Sequence, residues 1–480
     1  MALNALSGGA VPNSQASLVS LRAWPSWTGA ALTAFGFLIS VIAFYPGIFT
    51  PDSLYQFSQA QTGEFEDWHP PIMAALWFAL NRLHEGPELL FFTHLILFWV
   101  GLWTLSDALA RTGARWSALL PLIGLAPFVF NYLGLLWKDV ALASAWLFAA
   151  GIAFRRFARG EKLQWLEHVL IWAAFAYGAL VRGNSIFAAA PLALYLLNID
   201  VFSRRIWPQI AACILVPALL LAAASVFSQE IVGAEAQHPE DSLFLFDLVG
   251  ISHQTGANLV PGPWTPAQTR QIPDCYGVDK WDHVGMGHCR FLTQTLDDRE
   301  LWGGPAVSHA WLSAIAQHPL QYAAHRLGFS NQMMRWLGPI PVHDAFMESE
   351  MTDRRYVHHP GPVFRAYEAA SNALATTPLF RPYFWLLIAG GALLISWFAT
   401  DSPQRRFASA LGASGFIYLA TYVAFGVASD FRYAYWSILA SCAAVAALGA
   451  CAWRTPRHAA AAAVTCAAVI AAAVAASVAS

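Results

Sequence analysis

Charge is what this chain has least of. Asp, Glu, Lys and Arg make up 12% of its 480 residues, about half the share that soluble domains carry. Lysine is the scarcest of the four: Lys138, Lys162 and Lys280 are three of 27 basic residues. The net charge of −2 leaves no basic surface of the kind nucleic acid binding requires. There is no glycine-rich loop to cradle phosphates, no nucleophile elbow and no internal repeat. No small-residue cleavage site follows a short apolar core near the N-terminus, so the first apolar run, Thr28 to Tyr45, is expected to stay as an anchor. Cysteine is sparse too, at six. Cys213, Cys442, Cys451 and Cys466 fall in apolar runs and read as packing residues. Cys275 and Cys289 fall in the one long polar region. Outside the cytoplasm they are expected to form a disulfide; a zinc site with His283 and His288 is the alternative.

What the chain has in quantity is apolar surface: 57% of residues are hydrophobic and the mean hydropathy is +0.47. Apolar runs recur near the ~20 residues that a bilayer demands. They fall at 28–46, 88–108, 115–133, 139–154, 164–181, 185–199, 207–228, 381–399, 407–427, 433–452 and 458–478. Basic clusters follow alternate runs: Arg111 and Arg115, then Arg155, Arg156, Arg159 and Lys162, then Arg204 and Arg205, Arg405 and Arg406, Arg454 and Arg457. With Arg22 ahead of the first run, every cluster lies on one side if the N-terminus is cytoplasmic. The pattern requires that 69–83, "HPPIMAALWFALNRL", lie on the outer surface as an amphipathic helix. The expected fold is an all-α polytopic membrane protein with about eleven spans in a cell inner membrane. Residues 1–228 form a first transmembrane module whose first outer loop is 47–87. Residues 229–380 form a mostly helical extracytoplasmic domain, with ten of the fifteen histidines, and 381–480 form the last spans.

That topology strands three basic residues on the outer side at span ends: Lys138 in "GLLWKDV", Arg182 in "LVRGNS" and Arg432 in "SDFRYAYW". Charge at a membrane edge is costly and marks function; snorkelling at the interface is the bland account. Asp52 lies on the same face, in "YPGIFTPDSLYQ". It has a bland account as well. Thr50 can cap a helix, Pro51 suits its first position, and an aspartate favours the positive end of the dipole. A helix from Pro51 would set Asp52, Gln56 and Gln59 on one face. His343, Asp344, His358 and His359 have no distinctive metal-ligand spacing and read as solvated loop histidines and their neighbour.

In order along the chain, "YPGIFTPDSLYQ", "DWHPPIMAALWF", "WKDVALASAW" and "SDFRYAYW" resemble the outer-face motifs of the GT-C superfamily. These are polytopic glycosyltransferases that use lipid-phosphate sugars, related to protein O-mannosyltransferases and aminoarabinose transferases. The resemblance implies transfer from a polyprenyl-phosphate sugar to an extracytoplasmic glycan, lipid or protein acceptor. It implies Asp52 as the catalytic base, His69 near the donor, Lys138 and Asp139 as the Lys-Asp pair at the outer end of the fourth span, and Arg432, beside Tyr433, meeting the donor phosphate. Gln56 and Arg182 complete the expected substrate-binding set. Many relatives carry two adjacent acidic residues where this chain has Asp52 and Ser53, which argues against direct metal binding there and leaves a divalent cation open. "FDLVGIS" and "HPLQYAAHR" also look like segments of bacterial relatives, with no chemistry to assign. The rivals are a transporter or lipid flippase, which should hold its polar groups near mid-membrane, and a polysaccharide ligase or polymerase sharing the same donor.

Overall fold

The computed structural model describes residues 27–338 and 345–479. Arg22, His343 and Asp344 lie outside them. The described residues are helical throughout, joined by loops and a few isolated β-bridges, with no strand among them. Each apolar run coincides with helix. The first modules are α1 (Thr28–Phe44), α2 (Pro51–Thr62), α3 (Ile72–Asn81) and α4 (Glu88–Arg111). A 3₁₀ segment (Arg115–Leu125) and α5 (Pro127–Leu133) follow, bent by 56°. Pro127 explains the break, because proline forces the residue before it, Ala126, out of helical geometry. Then come α6 (Lys138–Phe157), α7 (Trp165–Leu180), α8 (Ser185–Leu196) and α9 (Trp207–Ser225).

The polar region carries α10 (Glu240–Thr255), α11 (Pro266–Gln271), α12 (Asp282–Gly285), α13 (Phe291–Asp298), α14 (Pro305–Gln317), α15 (Pro319–Met334) and α16 (Pro362–Leu374). The chain closes with α17 (Pro382–Phe398), α18 (Pro403–Phe425), α19 (Tyr435–Leu448) and α20 (Pro456–Ala479). Among the described residues six helices are long and apolar enough to cross a membrane, or seven if the bent pair is one span. Helices α1, α7, α8 and α17 are apolar but shorter, at 12 to 17 residues.

α6 is the centre of the bundle, buried on nearly every face and packed on α4, α7 and α19. Small residues allow these approaches. A side chain on Gly101 of α4 would strike the α6 backbone at Phe148, 2.9 Å away. The polar region has its own core, in which Leu245, Leu248, Leu292, Leu296 and Val307 surround the Cys275–Cys289 disulfide. With both sulfurs bonded to each other, a zinc site built on them with His288 has no thiolates to use.

Two expectations need correcting. The helix from the His-Pro-Pro motif begins only at Ile72, leaving His69 in the turn before it. His358 is not solvated: it is buried and its Nε2 donates to the Ala43 carbonyl at 2.8 Å.

Candidate functional site

The site is assembled at helix ends. α2 begins where Pro51 supplies a preset φ, and Ser53 turns back so that its Oγ accepts from the Thr50 amide at 2.8 Å. Thr50 is the N-cap residue, in a reciprocal capping box with Ser53, and its hydroxyl also accepts from the Trp137 indole at 2.6 Å. Ser53, fully buried, is therefore a structural residue in the position next to Asp52. Trp137 in turn precedes Lys138, the first residue of α6. One hydrogen bond thus couples the start of α2 to the start of α6, bringing Asp52 and Lys138 to the same level.

Arg432 reaches this level from a 3₁₀ turn (Phe431–Ala434) ahead of α19. Its guanidinium donates to Asp52 Oδ2 at 2.9 Å, lies 3.1 Å from Asp430, and sits over the Trp137 ring, 4.5 Å from the centroid. His69 Nε2 is 3.7 Å from the other Asp52 oxygen, and its Nδ1 is 2.7 Å from Lys138 Nζ. An ammonium can only donate. Where Lys138 is protonated, Nδ1 accepts from it and the ring proton lies on Nε2, on the Asp52 side. Arg182, in the α7–α8 connection, contacts Asp139 at 3.2 Å and the Tyr422 hydroxyl at 3.0 Å, and stacks over Tyr433 at 4.4 Å. Asp139 also accepts from Tyr418.

These contacts define the electrostatics. Burial would raise the Asp52 carboxyl, but Arg432, the nearby His69 ring and Lys138 outweigh it and hold it well below the usual carboxylate range. Burial and the Lys138 charge push the His69 imidazole down to about 4, so it is neutral near pH 7. Lys138 has no carboxylate within ion-pair distance among the described residues; its close partner is that neutral ring.

Asp52, His69, Lys138, Arg182, Arg432 and Tyr433 all line one cavity of about 710 Å³. Part of its lining comes from the polar region: Glu240 and Ser242 from α10, and Lys280, Trp281 and Asp282 around the start of α12. It is held down by a backbone bond from Trp281 N–H to the Val427 carbonyl at 2.8 Å. Two expected members are elsewhere. Gln56 is buried beneath Asp52 and does not line the cavity. Asp139 is buried behind Arg182 as its counterion. Asp430, two residues before Arg432 in "SDFRYAYW", shares the outer face with Asp52 in the sequence and pairs with Arg432 here. Tyr422 and Trp281 give no signal in the sequence: Tyr422 meets Arg182 only once the fold is formed, and Trp281 is brought in by the polar region. Both Asp52 oxygens already face cations or a ring N–H, which does not suit a divalent cation there. Comparison with protein-family models, curated proteins and solved structures gives no match.

Proposed function

We propose that this chain is a GT-C-type glycosyltransferase of a cell inner membrane, with about eleven spans and the Asp52 cavity on the extracytoplasmic face. The observation that carries this reading is the shared cavity: Asp52 with Lys138, Arg182 and Arg432 at a single end of the bundle, walled in part by residues of 229–380 that include Glu240, Lys280 and Asp282. The isoprenoid tail of a polyprenyl-phosphate sugar would lie in the bilayer, with its phosphate among Lys138, Arg182 and Arg432. An acceptor hydroxyl attacks the anomeric carbon. The new C–O bond forms as the bond to phosphate breaks, the electron pair leaves with the polyprenyl phosphate, and the hydroxyl proton passes to Asp52.

Paired to Arg432, Asp52 is a weak base. A donor phosphate competes for the same guanidinium, which forms strong bidentate bonds to phosphate oxygens. Loosening of the Arg432–Asp52 pair raises the basicity of Asp52 only when donor is bound. The transporter alternative is less well supported, because these ionisable groups gather at helix ends rather than in broken mid-span segments.

The test is transfer from a purified lipid-linked sugar by wild type and Asp52→Asn at equal folded concentration. Loss of the proton acceptor should lower turnover by roughly 10²–10⁴-fold. Near-normal turnover by Asp52→Asn would refute the assignment. Reporter fusions at Ser58 and within 229–380 should read as outside, and those near Arg156 and Arg405 as inside.

A further inference from the structure

We propose that Trp68 and Trp281 form a carbohydrate-binding wall of the cavity, and that the acceptor is therefore a glycan; this rests on the glycosyltransferase reading of the same site. The two indoles meet at 5.5 Å between centroids with their planes tilted by 45°, so they present an angled aromatic surface rather than a closed stack. Both line the cavity that Lys138, Arg182 and Arg432 line, together with Glu240, Lys280 and Asp282. A sugar ring offers patches of C–H on its faces and hydroxyls around its rim. Indole faces carry the negative side of an aromatic quadrupole and attract C–H, while carboxylates accept from the rim hydroxyls.

The surroundings favour this occupant over the other acceptor classes. A lipid acceptor needs a continuous apolar wall, and here the apolar lining of Leu243, Met286, Phe425 and Val427 is interrupted by Glu240, Lys280 and Asp282. An extended peptide is commonly taken up on a free strand edge, and no strand occurs among the described residues. The wall is also held in place before any ligand arrives. Trp281 N–H is bonded to the Val427 carbonyl, and Lys280 bridges to Ala428. Next to Trp68, the Asp67 amide donates to the Glu235 carbonyl at 3.0 Å, and the Asp67 carboxylate accepts from the Gln237 amide at 2.6 Å. Two segments far apart in sequence are thus pinned so that their indoles meet, which lowers the ordering cost of binding.

The experiment is ligand binding without donor. Purified protein in detergent is screened by saturation-transfer NMR against an array of neutral hexose and deoxyhexose oligosaccharides. Wild type should bind a subset, and Trp281→Ala and Trp68→Ala should weaken that binding about tenfold or more. Trp281→Phe keeps an aromatic face, should retain part of the affinity, and guards against a folding defect in the alanine variant. In transfer assays the acceptor KM should rise in the Trp variants with the donor KM unchanged. Binding to no member of the array, or equal binding by all the variants, overturns the proposal. Because binding is read without turnover, intact glycan binding alongside normal turnover by Asp52→Asn would sink the catalytic reading and spare this one.

Discussion

Two aspartates in this molecule are each held by an arginine and a histidine, yet their surroundings differ. Asp247, on α10, is fully enclosed. His325 Nε2 lies 2.9 Å from one oxygen and Arg326 2.6 Å from the same oxygen, and the Trp311 indole donates to the other at 2.7 Å. Arg326 continues to the Gly426 carbonyl at 2.7 Å, and His325 to the Tyr276 hydroxyl at 2.9 Å. Every short contact of this cluster is to protein, and it ties α10 and α15 to the segment after α18. Asp52 has nearly the same partners, but its side chain keeps 28% exposure and opens onto the cavity. The residue types are alike; what differs is whether a ligand can reach them. A closed Asp–His–Arg cluster stabilises, and an open one can exchange a partner.

The largest effect expected is on the closed side. Asp247→Ala leaves Arg326 buried without its carboxylate, and breaking such a pair costs about 3–5 kcal/mol. The melting temperature of the detergent-purified variant should fall clearly, while Asp52→Ala should melt close to wild type. A similar loss in both variants would erase the distinction between the two clusters.

Next is the exchange of partners at Arg432. Arg432→Ala and Lys138→Ala should lower donor kcat/KM by roughly 10–100-fold, the worth of a charged hydrogen bond. Arg432→Lys should also be impaired, since the forked contact and the stack on Trp137 both need guanidinium. Donor kinetics at the wild-type level in all three variants would return these cations to a snorkelling role.

Much of this was legible from the amino-acid order alone. Apolar runs reveal helices in a membrane protein because the bilayer leaves backbone polar groups no other partner. Lys138, Arg182 and Arg432 stood out by breaking an otherwise regular charge alternation, and they do share a cavity. The misplacement of Gln56 shows where helical periodicity stops. Spacing of four puts it on the Asp52 side of α2, yet it is 1% exposed, because a shared face can still turn from wall to core within one turn. The segments "FDLVGIS" and "HPLQYAAHR" show no chemistry of their own in the sequence. Their role is each other: Asp247 lies in one, His325 and Arg326 in the other, and a pairing across about eighty residues of chain leaves no local periodicity. The Trp68–Trp281 contact is hidden for the same reason.

A smaller effect sharpens the open cluster through pH. The His69 imidazole sits at about 4 in the folded chain, against an ordinary 6.5. Between these values the unfolded chain binds a proton that the folded one does not. The contribution of His69 to stability is therefore full above pH 6.5 and is lost as pH falls toward 4. Thermal unfolding at pH 4.5 and pH 7 should differ less in His69→Gln than in wild type. An unchanged difference would mean that the imidazole is not buried against Lys138 as described.

The smallest effect is expected at a third aspartate, and it tests whether arginine pairing alone means anything. Asp107, at the other end of the bundle, has three arginine partners: Arg111 at 2.9 Å, Arg155 at 2.8 Å and Arg159 at 3.3 Å. Lys138 and Arg155 stand seventeen residues apart on α6, about 26 Å along a helix, so this cluster is remote from the cavity. By count of partners it exceeds Asp52. By exposure it differs, for the Arg111 side chain is 51% exposed. An exposed ion pair contributes about 0–1 kcal/mol, since water and salt screen it and two long side chains must be ordered to form it. Arg155 and Arg159 also remain on Asp107 when Arg111 is removed. Arg111→Gln should therefore leave turnover, donor KM and acceptor KM at wild-type values and shift the melting temperature little. A loss of transfer in Arg111→Gln comparable to that in Arg432→Ala would show that arginine pairing matters at either end of the bundle, and that access to the cavity does not separate the two.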